Sequence, residues 1–121
     1  MPSEPEDTRL AEIARRLQAF VAERDWSQFH SPKNLAMALT GEVGELVEHF
    51  QWLTQEQSRQ LGEDQAGAVR AELADVQIYL LLLAQNLDMD LLGAVEDKLA
   101  KNAEKYPAHR ARGSSRKYTE L

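Results

Sequence analysis

The chain has 121 residues, 43% of them hydrophobic, and carries 14 Lys and Arg against 20 Asp and Glu for a net charge of -6. That length predicts one domain with a single core, and the acidity argues against a protein that coats nucleic acid, although HRARGSSRK near the C-terminus is locally basic. The absence of cysteine excludes disulfide, thiolate-zinc and iron-sulfur chemistry and is compatible with a reducing compartment.

No apolar run approaches the roughly 18 residues of a membrane span. The opening MPSEPEDTRL is acidic and polar, unlike a secretory signal. No membrane partner is expected, and the cytoplasm is the default location.

Residues 8–24 place Leu10, Ile13, Ala14, Leu17, Phe20 and Val21 on one stripe, the pattern of an amphipathic helix. The segment DWSQFHSP breaks this period. Ser31 followed by Pro32 then gives an N-cap and first-turn signal for a second helix. Its expected core seam is Leu39, Val43, Leu46, Phe50 and Leu53, spaced for interhelical packing. One residue back lies a second stripe of Ala38, Glu42, Glu45, His49 and Trp52. The acids should therefore border the core.

The polar connection TQEQSRQLGEDQAG has room for a short helical turn around residues 56–61. The next helix has the seam Val69, Leu73, Val76, Leu80, Leu83 and Leu87. The same shift by one gives Ala68, Glu72, Asp75, Tyr79, Leu82 and Asn86. Residues 76–84 are apolar almost all round, interrupted by Gln77 and Tyr79, so burial on several sides and a subunit interface are expected. Asp90 caps a last long helix through Leu91, Val95, Leu99 and Ala103, stopped at Pro107. Its flank carries Lys98, Asn102 and Lys105, a stripe with donors suited to phosphate. No strand pattern occurs. The expected fold is all-α, an antiparallel helical bundle of four main helices in a homo-oligomer, with residues 1–107 as the domain and 108–121 as a basic mobile tail.

Glu42-x-x-Glu45 and Glu72-x-x-Asp75 carry the chemistry. Residues three apart share a helix face, so each pair is a two-carboxylate claw for a hard divalent cation. Glu45 precedes Trp52 by seven residues and Glu72 follows Gln65 by seven. In antiparallel helices each pair then stands about 10 Å from the turn, and the two should meet at one level. Oxygen-only ligation favours magnesium or manganese over zinc or copper. No histidine stands three residues after a glutamate, which removes the di-iron bundle reading.

Trp26, Phe29, His30 and Trp52 form a second constellation. Phe29 is expected to plug the end of the bundle, while Trp52, on the acid stripe, is a platform for stacking a base. No G-x-x-x-x-G-K-[ST] loop exists, so phosphate binding would fall to a metal. The substrate class these features suggest is a nucleotide.

With these residues in place, the sequence resembles the MazG-like branch of the all-α nucleotide pyrophosphohydrolases, whose motif is E-x-x-E, a spacer, then E-x-x-D. The match runs from ERDWSQFHSPKNLAMALTGEVGELVEHFQW through ELADVQIYLLLLA to KNAEKYP. Within it, DWSQFHSPKNL, FQW and KYP look most like the dCTP pyrophosphatases. The resemblance implies magnesium-dependent hydrolysis of a nucleoside triphosphate, such as dCTP, to the monophosphate and pyrophosphate, in a homotetramer. It assigns Glu42, Glu45, Glu72 and Asp75 to the metal, and Trp26, His30, Trp52, Tyr79 and Asn102 to the nucleoside. Lys98, Lys105 and Tyr106 would lie near the phosphates, and Glu45 or Glu48 would take the proton of the attacking water. Members can also carry a histidine in the first helix near the position of Gln18 here, a difference that bears on base preference. Related activities on dUTP, damaged nucleotides or phosphoribosyl-ATP, and a non-catalytic helical adaptor, are the alternatives.

Overall fold

The computed structural model describes residues 5–121, with side chains described from Thr8 onward; the polar, signal-free start read from residues 1–4 lies outside the described residues. Every regular element among the described residues is helical. Helix α1 spans Pro5–Glu23, a 3-10 turn Ser27–Phe29, α2 Pro32–Glu48, the short α3 Gln55–Ser58, and α4 Glu63–Asn86. These belong to one compact unit that ends at Met89. A second unit begins at Asp90 and holds α5 Leu91–Lys105, α6 Ala108–Ala111 and a 3-10 turn Tyr118–Glu120.

The helix starts follow local chemistry. Pro32 occupies the first turn of α2, where its missing N–H is not needed, and the Ser31 hydroxyl accepts from Asn34 N at 3.1 Å. Before α3 a capping box forms: Gln57 N donates to Thr54 Oγ1 at 3.1 Å, and Thr54 N donates back to Gln57 Oε1 at 3.0 Å.

Two long-range bonds set the direction of α4 against α2. Gln65, in the first turn of α4, donates through Nε2 to the carbonyl of His49, at the end of α2 (3.1 Å). Asn86, the last residue of α4, donates through Nδ2 to the carbonyl of His30, just before α2 begins (2.6 Å). The two helices are therefore antiparallel. Gln85 Nε2 ties α4 to α1 through the Ala14 carbonyl at 3.0 Å.

The core of this unit holds Val21, Leu35, Val69 and Leu81, with Leu35 only 2% exposed. Each such side chain contributes roughly 1.5–3 kcal/mol through burial. Two members of the expected seams point elsewhere: Val43 is 40% and Leu73 53% exposed. The inward face of α2 includes Leu35, Leu39, Glu42, Leu46 and His49, and that of α4 includes Val69, Glu72, Val76 and Tyr79. The acid-bearing stripes thus take more of the helix–helix contact than the apolar period alone predicts. A wide apolar band tolerates this rotation, because either of two neighbouring stripes can face the partner helix.

In the second unit the Asp90 carboxylate accepts from Gly93 N at 3.1 Å and caps α5. The Tyr118 ring meets Tyr106 edge-on, with centroids 6.0 Å apart, and Lys105 Nζ lies 5.0 Å from the centre of the Tyr118 ring.

Candidate active site

As one partner steps back along α2 from His49 to Glu45 to Glu42, the other steps forward along α4 from Gln65 to Glu72 to Asp75. The antiparallel register brings the acid-bearing turns together. Carboxylate oxygens of Glu42, Glu45 and Glu72 lie within 4.8 Å of one another. Glu42 Oε2 and Glu72 Oε2 are withdrawn from solvent and meet no hydrogen-bond donor, whereas Glu45 remains exposed.

Buried polar atoms are ordinarily paired, and unpaired carboxylate oxygens beside one another are costlier still. Their proton affinities respond. Burial pushes the Glu42 carboxyl up to about 7, and the nearby Glu45 and Asp75 charges push the same way. Burial also raises Glu72, with Glu45 adding to the effect. An oxygen-only set with two donor-less buried atoms fits a hard divalent cation, which would satisfy both and cancel the like-charge repulsion.

A cleft of about 720 Å³ adjoins these acids, with Glu42, Asp75, Tyr79, Trp26, His30 and Arg16 in its lining. That size suits a small organic ligand. Trp26 reaches the cleft because of how α1 ends. Asp25 takes a left-handed backbone (φ 54), Asp25 N bonds to Ala22 O at 3.1 Å, and Trp26 N bonds to Val21 O at 3.0 Å. This is a Schellman stop. It turns Trp26 back onto its own helix, where the indole meets Phe20 edge-on at 5.7 Å and Arg24 covers the other ring at 3.6 Å.

Other residues singled out in the sequence are not in the lining of this cleft. Trp52 is 87% exposed and is not part of this cleft's lining, and Phe29, expected as a plug, is 59% exposed. The plug expectation fails because the 3-10 turn carries Phe29 outward while Leu35 fills the interior. Glu48 is exposed and outside the three-carboxylate cluster. Lys98, Asn102 and Lys105 lie on α5 and Tyr106 caps it, all within the second unit; Tyr106 N donates to Asn102 O at 2.8 Å. Arg16, Glu23 and Arg24 also line the cleft. Nothing in the residue pattern singles them out, since charged residues flanking an amphipathic stripe read as a solvated face.

Comparison with known proteins bears directly on this arrangement. Residues 38–121 match the model of the MazG-like family. The dCTP pyrophosphatase 1 of Homo sapiens is 52% identical over 119 residues, covering 97% of this chain and 69% of its own length. The dCTP pyrophosphatase 1 of Mus musculus is 48% identical with the same coverage. The crystal structure of a pyrophosphatase from Archaeoglobus fulgidus matches with a TM-score of 0.76 at 37% identity, over 88% of this chain and 97% of that one.

Proposed function

The chain belongs to the MazG-like family, and from that premise we propose that it is a magnesium-dependent pyrophosphohydrolase converting dCTP to dCMP and pyrophosphate. The observation that carries the reading is the cluster of Glu42, Glu45 and Glu72, with its two buried oxygens that lack a donor, at the edge of an aromatic-lined cleft.

Glu42, Glu45, Glu72 and Asp75 would hold the cation. When bound, it supplies charge neutralisation on the phosphates and lowers the pKa of the attacking water. Trp26, His30 and Tyr79 present an aromatic wall to the nucleoside, with Trp52 and Asn102 assigned to the same ligand by family resemblance. Lys98, Lys105 and Tyr106 are assigned to the phosphates by the same resemblance, as donors for the charge that grows on a departing pyrophosphate. Glu45 or Glu48 takes the proton of the water that attacks the phosphoryl group bearing the nucleoside. Membership in the carboxylate cluster together with access to solvent favours Glu45.

The exposed apolar side chains Met37, Val43, Val47 and Leu73 on α2 and α4 support a homo-oligomer, a tetramer by resemblance. No described helix is long and apolar enough to cross a membrane, and we place the protein in the cytoplasm.

The test is pyrophosphate release across a panel of nucleoside triphosphates with and without magnesium. Turnover of dCTP that depends on the cation supports the reading. A preference for dUTP or a damaged nucleotide would move the substrate while keeping the chemistry, and no turnover of any triphosphate would refute it.

A further inference from the structure

The acid stripe of α4 continues past the residues assigned so far. Glu72, Asp75, Tyr79, Leu82 and Asn86 are spaced three, four, three and four along the helix, so Asn86 stands on the site face at its last turn. Although the residue is exposed, its side chain is engaged. Its amide donates to the His30 carbonyl at 2.6 Å, across a long stretch of chain.

That carbonyl belongs to the loop of residues 26–30, which carries Trp26 and His30 to the cleft. Its other ties are local, among them Phe29 N to Trp26 O at 2.9 Å and Gln28 Nε2 to Asp25 O at 3.0 Å. At its start Trp26 N bonds to Val21 O; within it His30 N bonds to Ser27 O at 3.1 Å; and at its end Asn34 Nδ2 bonds to Phe29 O at 3.0 Å. These bonds fasten the loop to its neighbours in sequence. Among the described residues, the Asn86 bond is the one side-chain hydrogen bond that fastens it to α4, the helix bearing Asp75 and Tyr79.

We propose that Asn86 is a positioning residue for nucleoside binding: by holding the His30 carbonyl it fixes the aromatic loop against the α4 wall at the separation the nucleoside requires. The inference rests on the reading that Trp26 and His30 contact the nucleoside. Asn86 itself lies outside the carboxylate cluster, so the bond acts on ligand placement and leaves metal binding and the proton transfer untouched. Preorganising a loop in its bound geometry improves affinity because less ordering remains to be done on binding.

The experiment measures kcat, KM for dCTP and manganese affinity in Asn86→Leu, which removes the donor, in Asn86→Asp, which keeps the shape but replaces the donor by an acceptor, and in Asn86→Gln, which keeps an amide. The loss of one hydrogen bond predicts a KM raised about 3- to 10-fold in the Leu and Asp variants, with kcat and manganese affinity unchanged. The Gln variant should recover most of the loss. An unchanged KM in both Leu and Asp variants, a loss confined to kcat, or a Gln variant no better than Leu would overturn the inference. Should the Leu variant not fold, the Asp and Gln pair decides the matter alone. Trp26→Ala separates this failure from that of the underlying reading. A raised KM there with inert Asn86 variants rejects the positioning role only, while an unchanged KM there rejects the nucleoside role of the loop itself.

Discussion

Glu42 and Glu72 meet across the antiparallel α2–α4 pair, and each keeps one carboxylate oxygen out of solvent with no donor to satisfy it. Their neighbours Glu45 and Asp75 add negative charge to the same place. Without a cation this arrangement opposes folding; on the proposed reading a divalent cation would relieve it.

Neutralising one of the pair should therefore separate stability from activity. Glu42→Gln or Glu72→Gln is expected to raise the Tm of the metal-free protein, because an amide brings donors and removes a repelling charge. The same variants should lose stabilisation by magnesium plus nucleotide. Thermal melts with and without ligand check both signs.

Glu45→Gln and Asp75→Asn should lower kcat on the order of 100-fold or more, the scale of a lost general base or a lost charge at the reacting centre, with circular dichroism and Tm near wild type. Near wild-type turnover in either would count against the assigned site.

Stability of the metal-free protein should depend on pH in a stated direction. Burial raises Glu42 from 4.5 to about 7 in the folded chain, so the folded state holds its proton more tightly than the unfolded one. The stabilisation is complete below the unfolded value and is lost as pH rises through about 7. Glu72 shifts in the same direction and adds to the loss. Urea midpoints of the metal-free protein should thus fall between pH 4.5 and 7 relative to Glu42→Gln, and magnesium affinity should climb over that interval as protons leave the site.

Leu35 is the most buried large side chain described. Leu35→Ala should cost about 2–5 kcal/mol, read from denaturant unfolding, with activity per folded molecule retained because Leu35 is not among the residues lining the cleft beside the acids.

Val47 and Leu73 are more than half exposed on α2 and α4. If that face joins copies of the chain, Val47→Lys or Leu73→Lys should shift sedimentation velocity toward the single chain, whereas an unchanged profile would assign the interface elsewhere.

Much of the fold was legible because its signals are local. Ser31-Pro32, the Thr54/Gln57 box and the Asp90 cap each announce a helix start through side chains that bond to the next turn. The spacing of the acids along their helices was legible for the same reason. What the sequence did not reveal depends on rotation and on backbone sign. Periodicity leaves two adjacent stripes as candidates for the inward face, so it points Val43 and Leu73 inward although both are exposed. The left-handed turn at Asp25 that aims Trp26 has no glycine to mark it. Arg16 and Arg24 line the same cleft as Trp26, a tertiary neighbourhood that a pattern of apolar spacing does not encode.

If Glu42, Glu45, Glu72 and Asp75 act together as a divalent-cation site, removing one charge must weaken the binding of the cation. Calorimetric titration of magnesium or manganese into the wild-type protein and into Glu72→Gln measures this. Saturable binding is expected in the wild type, with an affinity at least about 10-fold weaker in the variant. Equal affinity in the two proteins, or no binding in either, would contradict such a site.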